Sequence, residues 1–297
     1  MLAIVLFAGF ITLNQFVLHF EGIPTWNELL GIQTPISDAV AEGEAKVHFI
    51  DVGQGDSELI VTENKAILID SGEWQYAGTV SQYIKALGID KLDYVICTHP
   101  HSDHIGSMYS VIAEIDTDTV IMPRVQESMI PTTKTYTRLL ESIEDNDIKV
   151  QYADPGSKIT LEEGCYIEIL SPVEDYDDLN NYSIACRFIH GGNVFLFTGD
   201  IEKKAESDIL NFGADVRADV IKVPHHGSST SSSYAFVKAV NPKYAVFEVG
   251  SPNDYGHPHK ETVETYTAQG CVFLRTDVNG SIVFTSNGYE LSYETEK

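Results

Sequence analysis

"CTHPHSDHIG", residues 97–106, places three histidines and an aspartate within the six positions from His99 to His104. The stretch follows "LDYVI", an apolar run of strand composition, so the cluster is expected in a loop after a strand, where a rigid sheet aims side chains. The pattern H-x-H-x-D-H lets His99 and His101 face one metal ion while Asp103 and His104 reach a second. Imidazole mixed with carboxylate suits zinc, with manganese or iron(II) as alternatives. A solvated polar loop is the bland reading, and four ligand-type residues at this spacing argue against it.

Outward from the cluster, short β-rich runs alternate with turns. "VHFIDV", "ELIVT" and "AILIDSG" precede a helix over 78–87 and the strand that carries the cluster. Downstream come "KVQYA", "CYIEIL", "SIACRFIH" and "NVFLFTGD", a helix over 202–212, and "DVIKVPHHG". Two more helices are expected over 234–240 and 260–269, separated by "KYAVFEVG", before the closing strands "CVFLRT", "GSIVFT" and "YELSY". Meandering strands with interspersed helices predict an α/β fold, two sheets packed face to face with helices outside. No sequence repeat is evident.

Three later features add ligand-type residues at strand ends or in loops. "FLFTGD" ends in Asp200, placed to bridge two ions; "IKVPHHGS" ends in His225 and His226; "YGHPHKE" supplies His257 and His259. "HPHSDH", "TGD" and "HHGS" in this order resemble the metallo-β-lactamase superfamily. More narrowly, "FIDVGQGDS" (49–57), "NNYS" (180–183), "VPHHGSS" and "YGHPH" resemble the hydrolase domain of the ComEC/Rec2 competence proteins, over roughly 46–290.

The resemblance implies an αββα sandwich with the site at one edge of the sheets. It also implies two divalent ions, the first held by His99, His101 and Asp200. The second falls to Asp103, His104, Asp200 and His225, with His226 competing for the last place. Catalytic roles fall to Asp103, His226 and His257, the last as proton donor or phosphate contact; His259 is the weaker candidate. Many superfamily members carry another histidine between the first cluster and the bridging aspartate. Here His190 lies in an apparent hairpin, and Asn181 and Ser183 take the expected position, which puts obligate occupancy by two metals in question. In the loop of Asp51, Gln54, Gly55, Asp56 and Ser57, Gly53 and Gly55 permit a tight turn and Asp56 serves as a structural hydrogen-bond acceptor.

The expected chemistry is metal-dependent hydrolysis by a metal-bound hydroxide, most naturally of a phosphodiester, as a phosphodiesterase or nuclease. Acyl or lactam hydrolysis at the same metals, and a metal-stabilised accessory module for DNA uptake, are the alternatives. A net charge of −25, from 44 acidic and 19 basic residues, repels polyanions, so DNA would need a local cationic site such as the metals provide. No basic, aromatic-rich tract is present, which favours a small ester over DNA; the superfamily resemblance implies a phosphocholine ester as one example. Cys97, Cys165, Cys186 and Cys271 form no CxxC pair and read as buried free thiols.

Residues 1–20 contain no Lys, Arg, Asp or Glu and suit a membrane anchor, in preference to a signal peptide or a buried first helix. A linker over 21–45 and a hydrolase domain over 46–297 complete the expected organisation. The domain is expected to be membrane-anchored and extracellular, or secreted.

Overall fold

Alternation along the first strand sets the layering. In β1 (Ala45–Phe49), Ala45, Val47 and Phe49 enter the central core, while the intervening His48 meets Tyr83 on the opposite side. This computed structural model describes residues 40–297 and Phe10. The expected anchor, apart from Phe10, and most of the expected linker lie outside the described residues. Among the described residues no helix is long and apolar enough to cross a membrane.

One sheet has eight strands: β1, β2 (Glu58–Val61), β3 (Ala66–Ile69), β4 (Lys91–Ile96), β5 (Asp116–Met122) and β6 (Lys149–Tyr152) follow in spatial order, and β14 (Ile282–Ser286) and β15 (Leu291–Thr295) extend it beyond β1. The other has seven, from β7 (Lys158–Glu162) through β8 (Cys165–Ile169), β9 (Cys186–His190), β10 (Asn193–Phe197), β11 (Val220–Lys222) and β12 (Tyr244–Phe247) to β13 (Val272–Arg275). Between them Phe49, Ile67, Ile96, Ile167, Phe188, Phe195 and Phe284 form the central core. Each such side chain contributes roughly 1.5–3 kcal/mol by leaving water.

Helices cover both outer faces. Helices α1 (Ala77–Ala86), α3 (Met108–Glu114) and α4 (Lys134–Asp145) pack Ile84, Val111 and Leu139 with Leu68 and Val95 of the first sheet; α2 (Ser102–Ile105) is a short turn beside the cluster. On the second sheet α5 (Lys203–Phe212), α6 (Tyr234–Val240) and α7 (Lys260–Gln269) pack Ile209, Phe236 and Tyr266 with Ile221 and Phe247. The four layers are the αββα sandwich that the sequence suggests.

Each sheet begins antiparallel and turns parallel: β3 to β6 in one, β10 to β13 in the other. This topological echo exists without a sequence repeat. Asp70 follows β3, the histidine cluster follows β4, Asp200 closes the turn after β10, His225 and His226 follow β11, and Glu248 follows β12. Carboxyl ends of parallel strands are where α/β sheets place ligands.

Several elements differ from expectation. Ser102 to Ile105 form a helical turn, so Asp103 and His104 stand on α2 and not in a loop. The run "SIACRFIH" becomes strand only at Cys186, because residues 180–182 make a 3-10 turn and Ser183 follows it. Strands β5 and β7 and helices α3 and α4 have no counterpart in the sequence reading. All four cysteines are buried and free, as expected.

Candidate metal centre

The centre is built from acids that fix histidines. Asp70, fully buried, accepts from the Thr98 backbone N–H at 2.8 Å and from Thr98 Oγ1 at 2.5 Å. Its Oδ2 also accepts from His104 Nδ1 at 2.7 Å. That bond sets the His104 tautomer and leaves Nε2 to act as a ligand. His226 is arranged alike: Nδ1 donates to the Glu248 carbonyl oxygen at 2.9 Å, and Nε2 lies 3.4 Å from Asp103 Oδ2 and 3.6 Å from Asp200 Oδ2. His104 Nε2 lies 3.3 Å from Asp200 Oδ1. Donor atoms of Asp103, His104, Asp200 and His226 all fall within 4.8 Å of one another.

Local backbone geometry aims these groups. His225 and His226 both adopt left-handed conformations, with φ of 52° and 51°, an unusual pair for residues bearing a Cβ. Gly227 continues at φ +85°, and a Cβ there would sit 2.7 Å from Pro258. The turn directs His226 inward, 2% exposed, and leaves His225 at 20%. Across the site Gly55 lets the loop after β1 touch α2: its Cβ would lie 2.4 Å from the Asp103 carbonyl oxygen, which accepts the Asp56 N–H.

The sequence candidates therefore separate. Asp103, His104, Asp200 and His226 form the four-donor group. His225 stands beside it, with Nε2 3.6 Å from Asp200 Oδ2. His99 and His101 are neighbours, His99 Nε2 to His101 Nδ1 at 2.9 Å, and the rings of His99 and His104 lie 4.2 Å apart. His257 faces the centre, its ring 5.7 Å from His225 and 6.1 Å from His226. His259 instead braces its loop, accepting from Ser229 N at 2.9 Å. His190 ends β9 in a hydrogen bond with Ser286 Oγ.

Beneath the centre lies a buried charged layer. Asp56 pairs with Lys222 and stands 3.2 Å from His226 Nδ1 and 3.5 Å from His104 Nδ1. Lys222, without exposed surface, donates to the Gly199 carbonyl oxygen at 2.9 Å. Glu58 and Glu248 complete the layer. Burial, then the neighbouring Asp56, pushes Glu248 up to about 8, and burial with Glu248 raises Glu58 well above the ordinary range. Burial would lower His226, but Asp200 and Asp56, with hydrogen bonds that Asp103 and Asp56 accept from the ring, raise it to about 10. For His104 the aspartates likewise outweigh burial and raise it. His99 has no comparable support, and burial followed by His104 lowers it. The surrounding carboxylates thus make a field that favours a cation where His104 Nε2 and His226 Nε2 converge.

Of the layer, the sequence reading assigned only Asp56. Lys222 and Glu248 were visible as lone charges inside apolar strand runs, and Asp70 as an acid ending "AILID", as Asp200 ends "FLFTGD".

The donor set fits a divalent ion. His104 Nε2, Asp200 Oδ1 and His226 Nε2 are buried without a hydrogen-bond partner, and such atoms are costly to leave unpaired. Two imidazoles and two carboxylates make a borderline set suited to zinc, manganese or iron(II).

Residues 50–248 match the metallo-beta-lactamase superfamily, and the chain belongs to it. Within this superfamily it is similar to competence proteins. It is 32% identical to competence protein ComA of Neisseria gonorrhoeae over 89% of this chain and 36% of that protein. It is 29% identical to ComE operon protein 3 of Bacillus subtilis (strain 168) over 81% of this chain and 33% of that one. The chain thus spans about a third of the length of these relatives. Among solved structures, CmlA, a diiron beta-hydroxylase from Streptomyces venezuelae, shares the fold at a TM-score of 0.53 and 13% identity, covering 81% of this chain and 53% of that one.

Proposed function

We propose that this chain is a metal-dependent phosphodiesterase, and that the buried four-donor group is its reaction centre. The observation that carries the reading is the set of unpartnered ligand atoms at the meeting of both sheets, beside a cleft of ≈ 560 Å³. His101, Asp103, Thr133, Asn180, His225 and Tyr255 are among its lining residues.

Asp103, His104, Asp200 and His226 would hold the ion, with zinc favoured and manganese or iron as alternatives; His99 and His101 would serve a second. A bound divalent ion supplies Lewis acidity and activates water near neutral pH. Asp70 and the Glu248 carbonyl hold His104 and His226 in the tautomer that presents Nε2. His257 Nδ1 is buried without a hydrogen-bond partner, and burial, followed by His226 and His225, lowers this imidazole to about 4. Neutral at pH 7, it keeps one N–H that can donate to a phosphate oxygen of the substrate. His225, at the cleft wall, is placed to contact a phosphate oxygen.

Among the described residues no lysine or arginine lines the cleft, so a phosphodiester relies there on the ion for charge compensation. That supports a small ester, such as a phosphocholine ester, or a single strand, more than duplex DNA. The likeness to competence proteins supports DNA as a substrate to test. The uncharged segment 1–20 supports membrane attachment; an extracellular hydrolase domain is part of the same proposal, and protease accessibility on intact cells checks it.

The deciding assay offers bis(p-nitrophenyl) phosphate, single-stranded DNA, a phosphocholine ester and an acyl ester, each with and without chelator. Chelator-sensitive cleavage of a phosphodiester is expected. Cleavage of the acyl ester alone, or of phosphodiesters undiminished by chelator, overturns the proposal.

A further inference from the structure

Three histidines at the centre, His99, His104 and His226, are almost wholly buried, and their Nδ1 atoms meet different partners. His104 donates to Asp70, and His226 to the Glu248 carbonyl oxygen. His99 Nδ1 meets two hydroxyls instead, Thr98 Oγ1 at 3.1 Å and Ser183 Oγ at 3.2 Å. A hydroxyl can donate or accept, so these contacts leave the His99 tautomer open until the protons are counted.

Thr98 has no proton to spare. Its backbone N–H and its hydroxyl grip the two oxygens of Asp70, at 2.8 and 2.5 Å, and Oδ2 takes the His104 N–H as well. A carboxylate that accepts all of these offers no proton back, so the single hydroxyl proton of Thr98 belongs to Asp70. Oγ1 therefore shows His99 only lone pairs, and Nδ1 must carry the ring proton that bonds to them. Ser183 Oγ accepts the Asp200 N–H at 3.0 Å and has another lone pair for the same ring proton. Its own proton would suit the opposite tautomer, but that would set lone pairs of His99 Nδ1 and Thr98 Oγ1 against each other at 3.1 Å. Thr98 and Ser183 are at most 1% exposed, so water does not relieve that opposition.

We propose that Thr98 is a positioning residue: it relays Asp70 to His99, and so holds the imidazole with its proton on Nδ1 and its Nε2 lone pair free on the side of His101. One buried carboxylate thereby sets two histidines, His104 directly and His99 through a hydroxyl. His101 Nδ1, 2.9 Å from His99 Nε2, is then the donor of that contact. An ion at this pair would find His99 already in ligand form and would have only His101 to rearrange. That consequence rests on the metal centre of the proposed function; the tautomer does not.

The test reads the ring protons directly, in long-range ¹H–¹⁵N correlation spectra of the metal-stripped full-length chain labelled at histidine, with His99→Gln identifying the His99 signals. The wild type is expected to carry the His99 proton on Nδ1. Thr98→Ser, which keeps the hydroxyl, should leave it there, and so should Ser183→Ala. Thr98→Val, which keeps the shape and removes the hydroxyl, should move it to Nε2, because Ser183 is then free to donate. When Zn²⁺ is titrated in, the ion that His99 senses should bind about tenfold more weakly in Thr98→Val than in the wild type. A proton on Nε2 in the wild type overturns the inference without any variant, which covers a Thr98→Val chain that fails to fold. A proton that stays on Nδ1 in folded Thr98→Val overturns it too. Wild-type protonation on Nδ1 with no histidine responding to Zn²⁺ upholds the relay and removes the metal centre, which separates the two failures.

Discussion

The floor and the rim of the centre are built on opposite principles. On the floor, Asp56, Asp70, His104, Asp200, Lys222 and His226 are each less than 3% exposed and tied to neighbours by hydrogen bonds or ion pairs. At the rim, His225 and Tyr255 are 20% and 64% exposed. The floor can fix an ion because its groups have little freedom left to lose; the rim can follow a substrate because its groups retain theirs. The contrast teaches that floor substitutions should change metal affinity, and rim substitutions the apparent affinity for substrate.

The largest effect tests the floor directly. Asp200→Ala removes the carboxylate that faces His104 and His226, and hydrolysis should fall on the order of a thousandfold, with tight metal binding lost. Retention of stoichiometric metal would break the comparison. Next, Asp70→Ala releases His104 without touching an ion, and metal affinity should weaken about 10–100-fold by titration, with turnover recovering at excess metal.

At the rim, Tyr255 offers an exposed ring to the cleft while stacking on His257 at 5.5 Å. Stacking of a base on an aromatic ring is worth about 1–3 kcal/mol, so Tyr255→Ala should raise KM for single-stranded DNA about tenfold. KM for a small aliphatic phosphodiester with neither base nor ammonium should stay put. Equal rises for both would make the rim a general wall.

The smallest effect lies away from both regions and calibrates them. Burial, with Lys46 adding to it, lowers His48 from 6.5 to about 3. The folded state therefore binds fewer protons there than the unfolded state, so its contribution is intact above pH 6.5 and is lost as pH falls toward 3. His48→Gln should flatten the decline in Tm over that window. A decline as steep as that of wild type would show that other groups govern it.

What was legible in the sequence follows the same division. The cluster from His99 to His104 declared itself because its ligand types are dense, and Asp200 because it ends an apolar run. Most strands were readable, but β5 and β7 were not: their alternate polar residues, in "DTDTVIM" and "KITLE", look like turn composition without the neighbouring strands in view. Helix α4, by contrast, is legible although the expectations above omit it: Tyr136, Leu139, Leu140 and Ile143 recur at helical spacing, and Leu139 and Ile143 are the apolar residues it buries. Which of His225 and His226 turns inward depends on two left-handed residues, a backbone feature that side-chain chemistry does not announce. Lys222 escaped notice because its partners Asp56 and Asp200 are distant in sequence.

That distance has a consequence for how the protein acquires its ion. As the chain leaves the ribosome, the cluster from His99 to His104 emerges well before Asp200 and His226 have been synthesised. The nascent segment is thus a poor chelator, and the four-donor group closes only when the second sheet docks on the first. On the proposed function, metallation would be the closing act of maturation, and a tightly bound ion the mark of a chain whose halves have met.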